Sequence, residues 1–130
     1  MSFMPRYANL IIQGLKSVEF RKTRFKREVS HIVMYSGAPE MKIIGIIETE
    51  GYEEDTPSSL WKRFHKEGGI SKEDFMNYYG AASKGTAIKI AKCIPLKKHL
   101  KLSAIKQDLR PPQSFIYVDE GVLSKLIPRN

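Results

Sequence analysis

Apolar and polar residues change rhythm several times along the chain, and the changes fall at glycine and proline. Tyr7 to Gln13 predicts a short helix with Ala8, Leu10, Ile11 and Ile12 on its apolar face and Gly14 just past its end. From Ser17 to Lys22 the pattern alternates as in a strand, with Lys16 and Val18 out and Ser17 in. His31 to Ser36 is apolar on both faces, as a buried strand is, and Ser36-Gly37-Ala38-Pro39 has turn chemistry. Met41 to Tyr52 predicts a further strand with Gly45 as a bulge or close-approach point. Thr56-Pro57 is an N-cap followed by a first-turn proline, opening a helix that stops at Gly68-Gly69 with Leu60, Trp61 and Phe64 inward. Ser71-Lys72-Glu73-Asp74 opens a second helix, ending at Gly80, with Phe75, Tyr78 and Tyr79 on one side. Thr86 to Ile94 predicts a strand closed by Pro95, and Leu96 to Arg110 an irregular tract with one helical turn near Ser103. After the rigid Pro111-Pro112 pair, Ser114 to Val118 predicts a last strand and Asp119 to Leu126 a terminal helix. Strands interrupted by helices, without repeat or linker, imply one α+β domain over residues 1–130, a small mixed β-barrel with flanking helices.

Composition changes this picture in one respect. At 42% apolar and 28% charged residues the chain is ordinary for a globular domain, but its formal net charge is +8. Six cations against two acids lie between Lys16 and Glu28, and seven against Asp108 alone between Lys89 and Arg110. Glu48 to Asp55 carries five acids and no base. Two basic stretches on a polarised chain suit a phosphate-backbone partner, RNA or another nucleic acid. The longest apolar run, Ile43 to Ile47, has five residues, so no membrane partner is expected. A single cysteine, Cys93, and the absence of a signal-peptide pattern point to the cytoplasm. Nothing in the sequence sets an oligomeric state.

The candidate chemistry begins at Lys16. Glu19 and Arg21 share a strand face, and Lys16 sits beside them at the helix-to-strand turn, so two cations and one carboxylate can grip an anion or a polar planar group. The bland alternative is a surface strand with solvated charges. His31, His65 and His99 have no second ligand nearby in sequence, so no metal and no other cofactor is expected. Trp61, Tyr78, Tyr79, Phe115 and Tyr117 are candidates to stack on bases, although helical spacing also suits a core.

Gly14-x-Lys16-x-x-Glu19-x-Arg21, the strand ending in Tyr35-Ser36, and Ile44-Gly45 resemble the ASCH domain family of the PUA-like superfamily. Leu60-Trp61, Phe75-x-x-Tyr78-Tyr79-Gly80, Ala87-Ile88-Lys89-Ile90 and Pro111-Pro112-Gln113-Ser114-Phe115 resemble a branch described as predicted transcriptional regulators. The resemblance implies a β-barrel of five or six strands and a cleft lined by the Lys-x-x-Glu-x-Arg strand. Ligand-binding residues are then expected at Lys16, Glu19, Arg21, Ser36, Trp61, Tyr79, Lys89, Gln113 and Ser114. It also implies RNA binding, with enzymes in some branches. An amidohydrolase branch that acts on N4-acetylcytidine has a threonine where this chain has Glu19, a poor substitute for attacking an amide. Another branch has ribonuclease activity; if this chain is an enzyme on RNA or a small nucleoside, Lys16 and Glu19 are its expected acid–base pair. A nucleic-acid-binding module, a metal-independent hydrolase and a regulatory protein-interaction module are the three resulting expectations.

Overall fold

In the computed structural model, residues 1–22 and 29–104 are described. The elements run β1 (Ser2–Phe3), α1 (Pro5–Ile12), β2 (Val18–Arg21), β3 (His31–Ser36), β4 (Lys42–Asp55), α2 (Pro57–Gly68), α3 (Lys72–Tyr79) and β5 (Gly85–Leu100), then a 3-10 turn at Leu102–Ala104. The predicted strand at Ser114 to Val118, the helix at Asp119 to Leu126, and Gln113, Ser114, Phe115 and Tyr117 lie outside the described residues.

The five strands form one sheet in the order β1-β3-β4-β5-β2. β1 is parallel to β3, and the other pairs are antiparallel. The architecture is α+β as expected, but the sheet is not closed into a barrel. β1 has only two residues, too few to carry a ladder across to β2. The two edges nevertheless approach each other, because the Arg21 guanidinium on β2 donates to the Ser2 carbonyl oxygen on β1. A side chain crosses the seam where backbone pairing would have closed it.

β5 corrects a second expectation. It continues through Pro95 to Leu100. Among the described residues β2 pairs with β5 only up to Lys89, so there the later half of β5 has β4 alone as its neighbour, and a residue without an N–H is tolerated on such an edge. Gly45 stands opposite Pro95 at a register shift, and a Cβ on it would lie 3.1 Å from both the Ile94 carbonyl oxygen and the Met34 methyl group. This is the close approach expected of that glycine.

The helices follow their caps. Thr56 Oγ1 accepts from Ser59 N at 3.3 Å, and Ser71 Oγ accepts from Asp74 N at 3.1 Å. α2 and α3 pack against β2 through a cluster of Val18, Phe20, Leu60, Phe75, Tyr79 and Ala87, with Trp61 and Phe64 at its margin. Tyr78 departs from the predicted inward side: Phe75 and Tyr79 are buried, whereas Tyr78 is 39% exposed. A second cluster beneath α1 joins Ala8 and Ile11 to Met34, Ile44 and Ile88.

Candidate functional site

Backbone bonds on both sides fix Lys16 in place. Gly14 adopts φ +77°, and the N–H groups of Leu15 and Lys16 both donate to the Leu10 carbonyl, which folds the chain back after α1. Ser17 N then donates to Glu67 O at the end of α2, and Ile90 N donates to Ser17 O. The alternation is the reverse of that expected: Ser17 is exposed, while Lys16 is 2% exposed and Val18 4%. β2 is covered on both faces, so simple two-face patterning does not describe it.

Burial turns a charged strand into a candidate site. The Lys16 ammonium donates to the Gly68 carbonyl at the end of α2 and lies 3.4 Å from Glu19 Oε1. Glu19 Oε2 accepts from the Arg21 guanidinium at 3.0 Å, and Phe20 N donates to Glu19 Oε1 at 3.2 Å. The rings of Tyr7 and Phe20 stand 5.3 and 5.8 Å from the ammonium, and Phe3 lies 5.1 Å from the Arg21 guanidinium. Burial lowers the Lys16 pKa from its ordinary 10.5, the nearby Glu19 carboxylate opposes that shift, and Arg21 adds to it. Two cations share one carboxylate, so the group carries one positive charge in excess.

This cluster forms part of the wall of a cleft of about 680 Å³. Ser2 and Phe3 of β1 face Glu19, Phe20 and Arg21 of β2 across it, so the cleft occupies the seam between the sheet's two edges. α1 adds Arg6 and Tyr7, and α3 adds Asp74, Asn77 and Tyr78. Arg6 lies 3.5 Å from Asp74, which links the two helices across the cleft. The phenol of Tyr78 accepts from Lys22 N at 3.1 Å and that of Tyr79 donates to the Arg21 carbonyl at 2.9 Å, so α3 holds the end of β2 through consecutive residues.

The other expected site residues are scattered. Tyr79 is buried behind Arg21, and desolvation raises its pKa. Ser36 is buried at the end of β3, one residue before Gly37, which does line the cleft. Trp61 packs on Phe75 at 5.1 Å and stacks with His65 at 5.3 Å, away from the cleft lining. Lys89 pairs with Glu53 at 3.9 Å outside it. Among the described residues no group of His, Cys, Asp and Glu is arranged to hold a metal ion, and no helix is long and apolar enough to cross a membrane. Sequence reasoning missed Ser2, Phe3, Arg6, Tyr7, Asp74 and Asn77, since a two-residue strand leaves no pattern and helix-surface polar residues look solvated wherever they sit.

No family profile matches the chain. It is 28% identical over 130 residues, 98% of its own length and 88% of the relative's, to an ASCH domain-containing ribonuclease of Zymomonas mobilis. A crystal structure of ASCH from Zymomonas mobilis superposes with a TM-score of 0.88 at 27% identity, covering 97% of this chain and 90% of that one. The large ribosomal subunit protein uL22 of Ureaplasma parvum is 28% identical over 119 residues, which amounts to 91% of this chain but only 38% of that protein. Near full-length likeness in both sequence and structure to Zymomonas ASCH proteins bears out the resemblance to the ASCH domain family.

Proposed function

We propose that the chain binds RNA and holds one nucleotide unit of it in the seam cleft. One observation carries this reading: a buried Lys16–Glu19–Arg21 group with a positive charge in excess stands in a cleft walled by aromatic rings. A phosphate supplies the missing negative charge, and Tyr7 and Tyr78, over whose rings Arg6 and Lys22 lie at 4.6 and 5.0 Å, offer aromatic surfaces that a base takes by displacing those exposed cations. The Zymomonas relative described as a ribonuclease supports an RNA partner. Fluorescence anisotropy with a labelled RNA oligonucleotide tests it. Lys16→Ala is expected to weaken binding at least about tenfold, the scale of one charged hydrogen bond. Unchanged affinity with the fold intact by circular dichroism would reject the cleft as the site.

A second reading, metal-independent RNA cleavage, is favoured by the lowered proton affinity of Lys16 beside a carboxylate. Glu19 takes the proton of a ribose 2′-hydroxyl, and the 2′-oxygen attacks the adjacent phosphorus. Lys16 gives its proton to the departing 5′-oxygen while Arg21 neutralises the non-bridging oxygens. The products are a 2′,3′-cyclic phosphate and a 5′-hydroxyl end. Accumulation of such ends with chelator present, and its loss in Glu19→Gln, separates cleavage from binding alone.

A further inference from the structure

We propose that the α1–α3 wall of the cleft reads the edge of an unpaired nucleobase and selects bases with an exocyclic amino group over uracil. This rests on the RNA reading above and adds the base class. Asp74 and Asn77 lie three residues apart on α3, on the same helical side, and both line the cleft beside Tyr78. The Asp74 carboxylate can only accept hydrogen bonds, whereas the Asn77 amide can both donate and accept. Among the described residues the partner of that carboxylate is Arg6 at 3.5 Å, longer than a charge-assisted hydrogen bond, so accepting capacity remains for a ligand in the cleft that Asp74 lines. Among the described residues the Asn77 side chain makes no hydrogen bond.

Tyr78, next to Asn77, supplies the platform. Its hydroxyl accepts from Lys22 N, its ring stands edge-on to Tyr79 at 5.0 Å with the Lys22 ammonium 5.0 Å from its centroid, and the residue is 39% exposed, so a base stacks there by displacing the lysine side chain. A base stacked there presents its edge to the two polar side chains. Cytosine and adenine offer an amino group beside a ring nitrogen: Asp74 accepts from the first, and Asn77 donates to the second. Guanine offers two adjacent N–H donors to the carboxylate and its carbonyl oxygen to the amide. Uracil's single N–H can also donate to Asp74 while a carbonyl accepts from Asn77, but the carboxylate then lies against a carbonyl oxygen on each side of that N–H, a repulsion that an amino group at the end of the base edge does not impose.

Single-base oligonucleotides of cytosine, adenine and uracil ribonucleotides, titrated at one salt concentration, test the proposal. The wild type is expected to bind the uracil oligomer about tenfold more weakly than the other two, the scale of one well-made base contact. Asp74→Asn, which keeps the shape of the side chain but loses the charge, should collapse that ratio toward one. Lys16→Ala should weaken all three by the same factor and leave the ratio intact. Equal wild-type affinities, or a ratio untouched by Asp74→Asn, would overturn base selection while leaving the RNA reading standing. Failure of every oligomer to bind at low salt would overturn both.

Discussion

Lys16 is the residue on which the proposed site turns, because it is held where a lysine is costly to charge. Burial lowers its pKa below 10.5, with Glu19 acting against that shift. Between the lowered native value and 10.5 the unfolded chain binds more protons than the folded one, so the contribution of Lys16 to stability rises with pH across that window. Urea titrations at neutral and alkaline pH should therefore show the wild type gaining on Lys16→Met as pH increases, since other titrating groups are common to both proteins. A constant difference would mean that Lys16 is solvated. The binding consequence has the opposite sign: wild-type RNA affinity should fall as Lys16 loses its proton, and anisotropy of Lys16→Met should lack that step. At this scale the sequence was partly legible. The spacing Lys16-x-x-Glu19-x-Arg21 brings three charges together, but burial of Lys16 depends on Gly68 and Tyr7, which are remote or unremarkable in sequence.

Element ends, rather than element faces, build the socket around that lysine. α2 stops at Gly68, and Gly69 follows with φ +57°. A Cβ on Gly69 would lie 3.0 Å from Lys16 Cβ and 3.2 Å from its Cγ, while the Gly68 carbonyl accepts from the ammonium. Gly69→Ala is thus expected to cost about 1–2 kcal/mol from left-handed backbone strain and also to displace Lys16, weakening RNA binding although Gly69 is absent from the cleft wall. Gly51→Ala is the control: its φ is +109°, but nothing lies within 4 Å of the new Cβ. It should lose stability in a denaturant titration and retain affinity. If both variants keep full affinity, the end of α2 does not position Lys16. Caps and breakers made these helices readable, because Thr56, Ser71 and Gly69 act through local hydrogen bonds and local dihedrals. β5 beyond Pro95 was unreadable, since whether a proline ends a strand depends on which of its sides has a neighbour.

At the scale of the molecule, the cleft exists because the sheet does not close. Among the described residues β1 and β2 are its outermost strands, and the Arg21 guanidinium spans them by binding the Ser2 carbonyl and Glu19 together. The open seam is invisible in the sequence: the strand pattern resembles that of a barrel, and β1 is too short to register. Arg21 thereby differs from the cations that give the chain its net charge of +8. Lys98, exposed on the outer part of β5, attracts a polyanion only through the general field. Lys98→Ala should lower RNA affinity slightly and reduce the slope of log affinity against log salt by at most about 0.7, the single-strand value for one phosphate contact. Arg21→Ala removes a cation from the cleft, leaves Glu19 with Lys16 as its one cation among the described residues, and releases β1 from the guanidinium that ties it to β2. Its loss should reach roughly thirtyfold, equivalent to about 2 kcal/mol for a charged hydrogen bond, and should persist at high salt because geometry as well as charge has gone. Equal losses for the two variants, vanishing together as salt rises, would mean that the chain holds RNA by its field and that the seam is not a binding site.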